Sequence, residues 1–522
     1  MNEEFTTDVL IVGSGIAGTT AALELARLGV PVTLVTRAEQ PEESNTRYAQ
    51  GGIIYRGTED SADMLMKDIM QAGADYNNRE AVDILAAEGP ELVRRILIDR
   101  LQVPFERREN GDLSLIREGA HSVDRILHVA DYTGRAIATA LLNTVRETAG
   151  VRILTGHTAI DLITTSHHSN DRQARYGRRS CAGVYCYDQT QGTVRRILAR
   201  AVILATGGVG QLFLRTSNPA GARGDGLAMA YRAGGRVLNC EFVQFHPTTF
   251  YHPHAKNFLI SEAVRGAGGR LVDEHGQPFM HKYSPEWRDL APRDITARGI
   301  HQEMLQRGAT NMYLDVTGIG SADEIRRRFP DIQQFCRQYK IDIATDPIPV
   351  VPAAHYFCGG IWVDTVGRTT IDNLFAAGEV ACSGVHGANR IASSALLEGL
   401  VWGSRVAQQI GATLTSLPLP SADDYPEWQY TGDQLPDKAL IQQDMENIRQ
   451  LMWNYVGLVR TTHRLERALQ ELNHLNNQVE SFYRHSRVTD ELIGLRNMVL
   501  SALLITRAAH ANRSSVGCHY RE

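Results

Sequence analysis

Apolar residues run without a break over 9–12, recur with helical spacing over 16–28, and run again over 32–35. A short apolar run, a stretch with 3.6-residue spacing and a second run predict strand, helix, strand, and therefore a parallel sheet. The strand pattern reappears at 200–206 (RAVILAT) and ends in Gly207-Gly208. Strand-like segments at 151–163 and 182–187 flank a polar loop at 164–180. From about 241 to 352 the pattern changes, with aromatics, histidines and prolines between short helical stretches. It reverts to strand over 357–377, then becomes glycine-rich, and a helix is expected from about Ser393. This is the pattern of one α/β domain interrupted by an inserted α+β domain. Pro418, Pro420, Pro426 and Pro436 mark 417–436 as a linker. Beyond it, Ile441, Met445, Ile448 and Met452, then Leu465, Leu469 and Leu472, then Leu492, Leu495 and Val499 predict about three bundled helices. The expected domains are 1–240 and 355–416 (one α/β unit), 241–354 (inserted) and 437–522 (helical).

Composition narrows the class. The chain has 522 residues, 43% hydrophobic and 22% charged, which is globular and long enough for several domains. Net charge is −5, so no global basic excess points to nucleic acid. The seven cysteines are scattered without a CxxC pair, which argues against a disulfide framework, a zinc site or an iron–sulfur cluster. A reduced, cytoplasmic setting is expected. The N-terminus lacks the basic start of a signal peptide. No apolar stretch is read as approaching the roughly 20 residues of a membrane span. Arg178-Arg179 and Arg326-Arg327-Arg328 are read as solvated surface.

The chemistry begins at Gly13-Ser14-Gly15-Ile16-Ala17-Gly18, a GxGxxG placed between a strand and a helix. Glycines there permit the tight turn and let backbone N–H groups approach a pyrophosphate at the helix N-terminus. The acid usually found at the end of the second strand is missing. That strand ends in Thr36-Arg37, and Glu39 comes late. Three further glycine-ended segments are present: Asn45-Thr46-Arg47-Tyr48-Ala49-Gln50-Gly51-Gly52, Ala205-Thr206-Gly207-Gly208, and 373–379, which ends in Gly378-Glu379. Four such segments suit a long cofactor crossing several loops, which points to FAD.

Longer motifs carry a resemblance. They are GSGIAG, YAQGG, REGAHSVDRILH, ATGGVGQLF, GARGDGLAMA, EFVQFHPT, APRDI, PAAHYFCGG and LFAAGEVACSGVHGANRIASSALLEG, in that order. With them the chain resembles the succinate dehydrogenase and fumarate reductase flavoproteins over essentially its whole length. The resemblance implies an α/β, Rossmann-like FAD-binding domain with an inserted capping domain and a C-terminal helical bundle. It adds Asp225, Ala395 and Leu396 to the cofactor contacts. Members in membrane complexes bond FAD through a histidine near the YAQGG-type loop. The matching position is Asn45, so FAD is expected to be non-covalent. Ala395 stands where relatives often have serine, and the 513–521 tail departs from the usual ESRG-type ending at Ser514 and Val516.

Glu118 places the chain within the family. Succinate and fumarate have no use for a carboxylate there, whereas a substrate with an ammonium group does. The sequence therefore resembles the branch that oxidises L-aspartate to iminoaspartate for NAD biosynthesis. In that branch the flavin is reoxidised by O2, giving H2O2, or by fumarate, giving succinate. Quinolinate synthase is the implied transient partner. The resemblance assigns the substrate carboxylates to His246, His355 and Arg390, with neutral hydrogen bonds from Gln244 and Ser261. It makes Arg293 the proton donor for fumarate, relayed by Glu262 and Arg265. Arginine suits a carboxylate because its planar fork binds bidentately. The rival readings are a soluble fumarate reductase or succinate-oxidising flavoprotein, and an FAD-binding scaffold without chemistry. No metal-ligand pattern is present.

Overall fold

The computed structural model describes residues 5–255, 258–430 and 432–522. The predicted opening is present as β1 (Phe5–Val12), α1 (Ile16–Arg27) and β2 (Val32–Val35). Strand β1 lies inside a parallel sheet, between β2 and the strand Thr193–Leu204. Val9, Leu10 and Ile11 are fully buried. An interior parallel strand has both faces covered, which explains the unbroken apolar run. Val151–Leu154 extends the sheet beyond β2, and Leu374–Ala376 pairs with the far side of Thr193–Leu204. The register aligns Leu154 with Val35, Val35 with Val12, Val12 with Leu204 and Leu204 with Ala376. The carboxyl ends of five strands thus lie in one row, where open α/β sheets bind ligands.

The expected continuous strand at 151–163 is two strands. Gly156 has φ +65° and turns the chain. Val151–Leu154 is parallel to β2, while His157–Thr164 pairs antiparallel with Cys181–Asp188. The polar loop before Cys181 contains two short turns, Thr165–His168 and Arg172–Tyr176.

The middle of the chain forms a four-stranded antiparallel sheet in the order Val243–Phe250, Ile348–Phe357, Met312–Asp315, Arg270–Val272. Its helices include Arg293–Arg307, whose 15 residues exceed the short stretches expected. This layer has its own core, with Phe250, Leu271, Phe279, Ile300 and Ile348 buried. The strands Val243–Phe250 and Ile348–Phe357 run back to the first layer and carry residues of the cleft described below.

Three helices close the chain: Lys438–Val456, Thr462–His485 and Asp490–Ala511. The last corrects one expectation. It is long and apolar enough to cross a membrane by composition, yet 78% of its apolar window is buried within the protein. Leu492, Leu495, Val499 and Leu503 pack into the second hydrophobic core, so the apolar run is that of a central bundle helix.

Candidate active site

A cleft runs from the carboxyl ends of the parallel strands into the space under the antiparallel layer. One limb is walled by the glycine turn after β1. Gly13 has φ +117°, and a Cβ there would lie 2.1 Å from the Ala205 carbonyl oxygen. Only glycine allows the β1–α1 turn to pass this close to the neighbouring strand end. Gly15 precedes α1 without a side-chain cap of its own. The Ile16 N–H instead donates to Thr46 Oγ1 at 2.9 Å, which ties the 45–52 segment to the helix N-terminus.

Asn45, Thr46, Tyr48, Ala49, Gln50, Gly51 and Gly52 line this limb with Ser14, Gly15, Ile16 and Ala17. Arg37, Ala205, Thr206, Gly207, Asp225, Gly378, Glu379, Ala395 and Leu396 complete it. Buried Asn45 Oδ1, Gln50 Oε1 and Thr206 Oγ1 have no hydrogen-bond partner among the described residues. An extended polar ligand passing a glycine turn and a helix N-terminus suits these unpaired groups. The residues present therefore fit FAD. The Asn45 amide donates to Glu379, whose other oxygen accepts the Phe357 N–H at 3.0 Å. Burial pushes the Glu379 carboxyl up to about 7.

No acid follows β2 directly, but a carboxylate from a later segment reaches this limb. Asp225 lines the cleft, with Oδ1 accepting from Asn497 at 2.8 Å and Oδ2 from Arg223 at 3.0 Å. Arg37 is paired with Asp490 at 3.2 Å. Asn497 and Asp490 both belong to the last helix.

The other limb is dense in charge. Arg293, the first residue of its helix, donates from Nε to Glu262 at 2.6 Å and from Nη1 to Gln244 Oε1 at 3.1 Å. Gln244 in turn donates to Asn389 Oδ1 at 2.7 Å and to the Arg390 carbonyl at 2.8 Å. Arg265 lies 3.7 Å from the second Glu262 oxygen. Burial alone would raise the Glu262 carboxyl, but the two arginines hold it at about 2. Ser261 caps the short helix Glu262–Gly266 by accepting the Ala263 N–H.

His246 and His355 face each other edge-on with ring centroids 5.0 Å apart. His355 Nδ1 lies 2.7 Å from Ser217 Oγ, and the Thr248 peptide N–H donates to His246 Nδ1 at 3.2 Å. Burial and the neighbouring arginines push both imidazoles well below their ordinary value. They are neutral hydrogen-bonding groups at neutral pH, and the positive charge comes from Arg293 and Arg390.

Glu118 enters from the first layer. Gly119 makes this possible, since a Cβ there would lie 2.0 Å from Glu262 Oε1. Ser393 Oγ donates to Glu118 Oε2 and also accepts the Gly52 N–H at 3.1 Å. Burial, then the charge of Glu262, raises the Glu118 carboxyl above the usual range. Glu118 is thus a buried carboxylate with no cationic side chain bonded to it among the described residues.

The cleft brings together Glu118, His246, Ser261, Glu262, Arg293, His355 and Arg390. Gly18, Arg47, Gln244 and Arg265 are not in its wall. Gly18 packs on the Gly13 carbonyl, while Gln244 and Arg265 stand behind Arg293 and Glu262. Sequence reasoning missed Ser393, Ser217 and Tyr356. Ser393 and Tyr356 lay inside motifs already noted, beside Ala395 and His355. Ser217 had no local signal, because it reaches the site only through its contact with His355.

A family model described as FAD binding domain matches residues 8–396, and one described as fumarate reductase flavoprotein C-term matches 445–522. The chain is 42% identical to L-aspartate oxidase 1 of Ralstonia nicotianae over 98% of this chain and 94% of that protein. It is 43% identical to L-aspartate oxidase of Halobacterium salinarum over 100% and 97%. The chain belongs to the L-aspartate oxidase family. Among solved structures, E. coli quinol fumarate reductase superposes with a TM-score of 0.87 at 26% identity, covering 100% of this chain and 92% of that one. Mycobacterium smegmatis Sdh1 gives 0.80 at 29% identity, covering 100% and 89%. The L-aspartate oxidase family thus shares its architecture with the succinate dehydrogenase and fumarate reductase flavoproteins, as the motifs implied.

Proposed function

We propose that this chain oxidises L-aspartate to iminoaspartate, and that the observation carrying the reading is Glu118. It is a buried carboxylate in a pocket otherwise furnished with Arg293, Arg390, His246 and His355. The arginines and imidazoles suit two carboxylates, and Glu118 suits the ammonium group between them. Ser393 holds one Glu118 oxygen and thereby its orientation. FAD, when bound, supplies the two-electron chemistry, accepting the Cα hydride and passing the electrons to O2 or to fumarate. Asn45 stands nearest in sequence to the place of a covalent link, and an amide forms none, so the cofactor is held by contacts alone.

The residues also serve fumarate, which lacks only the ammonium group. In this reading Arg293 gives the proton, with Glu262 and Arg265 as the relay, a role supported by the Arg293–Glu262 hydrogen bond. The 241–354 layer is read as a cap that excludes water and orients the substrate. The product is an unstable imine, which favours transfer to quinolinate synthase in NAD biosynthesis. Its setting is read as cytoplasmic.

The test is anaerobic. L-aspartate added to the oxidised, FAD-loaded protein should bleach the flavin band, and succinate should not. Bleaching by succinate alone would move the chain to the dicarboxylate dehydrogenases. No bleaching by either would leave a cofactor-binding scaffold.

A further inference from the structure

Arg390 is buried, yet it is weakly held by its own chain. Its Nη1 donates to the Ile391 carbonyl at 3.2 Å, and its Nε has no partner among the described residues. No carboxylate pairs with it among the described residues. Its guanidinium carbon instead lies 4.5 Å from the centre of the Tyr356 ring. The Tyr356 hydroxyl donates to Glu398 Oε2 at 2.8 Å. The same oxygen lies 2.8 Å from His386 Nε2, and the Ser383 hydroxyl donates to the other. Ser383, His386 and Glu398 are buried, Glu398 to 1% exposure, and none of the three lines the cleft. A buried carboxylate with three polar partners is costly to assemble, and the proposed chemistry does not touch it.

A phenol that donates to a carboxylate gains electron density, and an electron-rich ring face binds a cation more strongly. We infer that Glu398 acts through the Tyr356 ring to hold the Arg390 guanidinium in place for a substrate carboxylate, making Tyr356 and Glu398 positioning residues of this site. An ion pair made directly with Arg390 would occupy the fork that the substrate needs. A ring face neutralises part of the charge and leaves the donor edge open. His386 and Ser383 fix the carboxylate that polarises the ring. The inference rests on the reading of Arg390 as a carboxylate ligand.

The experiment uses the oxidised holoenzyme and titrates fumarate against the flavin absorption band to obtain Kd. It also measures KM and kcat for L-aspartate. Tyr356→Phe keeps the ring and removes the bond to Glu398, and Glu398→Gln keeps the shape and removes the charge. Each should raise the fumarate Kd and the L-aspartate KM together, by roughly three- to tenfold, a part of a desolvated cation–π contact, because the ring itself remains. The loss should fall on Kd and KM rather than kcat, with FAD content unchanged. Tyr356→Leu, without the ring, should be weaker still. Normal Kd in both conservative variants, or a loss confined to kcat, would overturn the inference. So would a fall in FAD content that accounts for the weaker binding. Arg390→Lys separates the two levels. An unchanged fumarate Kd there would overturn the reading of Arg390 itself. A weakened Kd there, with Tyr356→Phe and Glu398→Gln normal, would overturn only the positioning role.

Discussion

At the scale of single residues, the pocket sets two carboxylates apart by their neighbours. Glu262 touches Arg293 and stays ionised to about 2, while Glu118 is buried beside that negative charge and is raised. An ammonium group bound at Glu118 favours its ionised form, so L-aspartate binding should strengthen as pH rises through the raised Glu118 value. Glu118→Gln should remove that limb from the pH profile of kcat/KM. It should also lower kcat/KM for L-aspartate by on the order of a hundredfold, the cost of losing one partner of a buried charge pair. Fumarate reduction with a reduced dye should change far less, and equal losses in both reactions would defeat the ammonium role. Arg293 makes a different case, because its fork reaches Glu262 and Gln244 at once. Arg293→Lys should leave FAD bound and lower fumarate reduction by roughly 10²–10³-fold, since an ammonium cannot span both acceptors.

At the scale of elements, the cofactor limb depends on how closely the β1–α1 turn approaches the strand ending at Leu204. Gly13→Ala would push a methyl group against the Ala205 carbonyl in a backbone region that L residues avoid. The purified variant should lack the flavin band, and added FAD should bind with a much higher Kd. The last helix matters for the same limb. Asp490 joins Arg37, Arg223 and Thr158, and so anchors the helix to the α/β unit. Asp490→Ala should destabilise the fold by about 1–3 kcal/mol in a denaturant titration, since it leaves buried Arg223 with one carboxylate fewer. Burial opposes ionisation of Asp490, but its arginines win and hold the carboxyl below 3.8. Its stabilising contribution is therefore complete above 3.8 and is lost as pH falls through the lowered value.

At the scale of the whole molecule, the two layers are joined away from the cleft by a contact that reaches across the sequence. Asp131 accepts the Asp331 and Ile332 N–H groups at 3.2 and 3.0 Å, at the start of the helix Pro330–Arg337. Arg135 pairs with Asp331 at 3.0 Å. Asp131→Ala should speed hydrogen exchange in residues 331–337 while leaving the parallel sheet protected. Unchanged exchange there would mean that the antiparallel layer is held by its other contacts.

The sequence alone determined the elements whose signals are local. The β1–α1–β2 opening, the glycine turn and the three C-terminal helices follow from apolar period and from glycine placement. The motifs holding Glu118, Arg293, His355 and Arg390 were legible only through their resemblance to a known family, since residue type and spacing alone suited Glu118 equally to the surface. Only the tertiary structure decided which of these residues share a cleft. It put Gln244 and Arg265 behind the wall, and it brought Asp225 to the cofactor limb from a distant segment. It also made Asp490–Ala511 a core helix although its composition would suit a membrane. The reason is the same in each case. Burial, ion pairing and hydrogen-bond partners arise between segments up to hundreds of residues apart, such as Ser393 on Glu118 or Asn497 on Asp225. No local pattern of residue types encodes who will stand opposite whom.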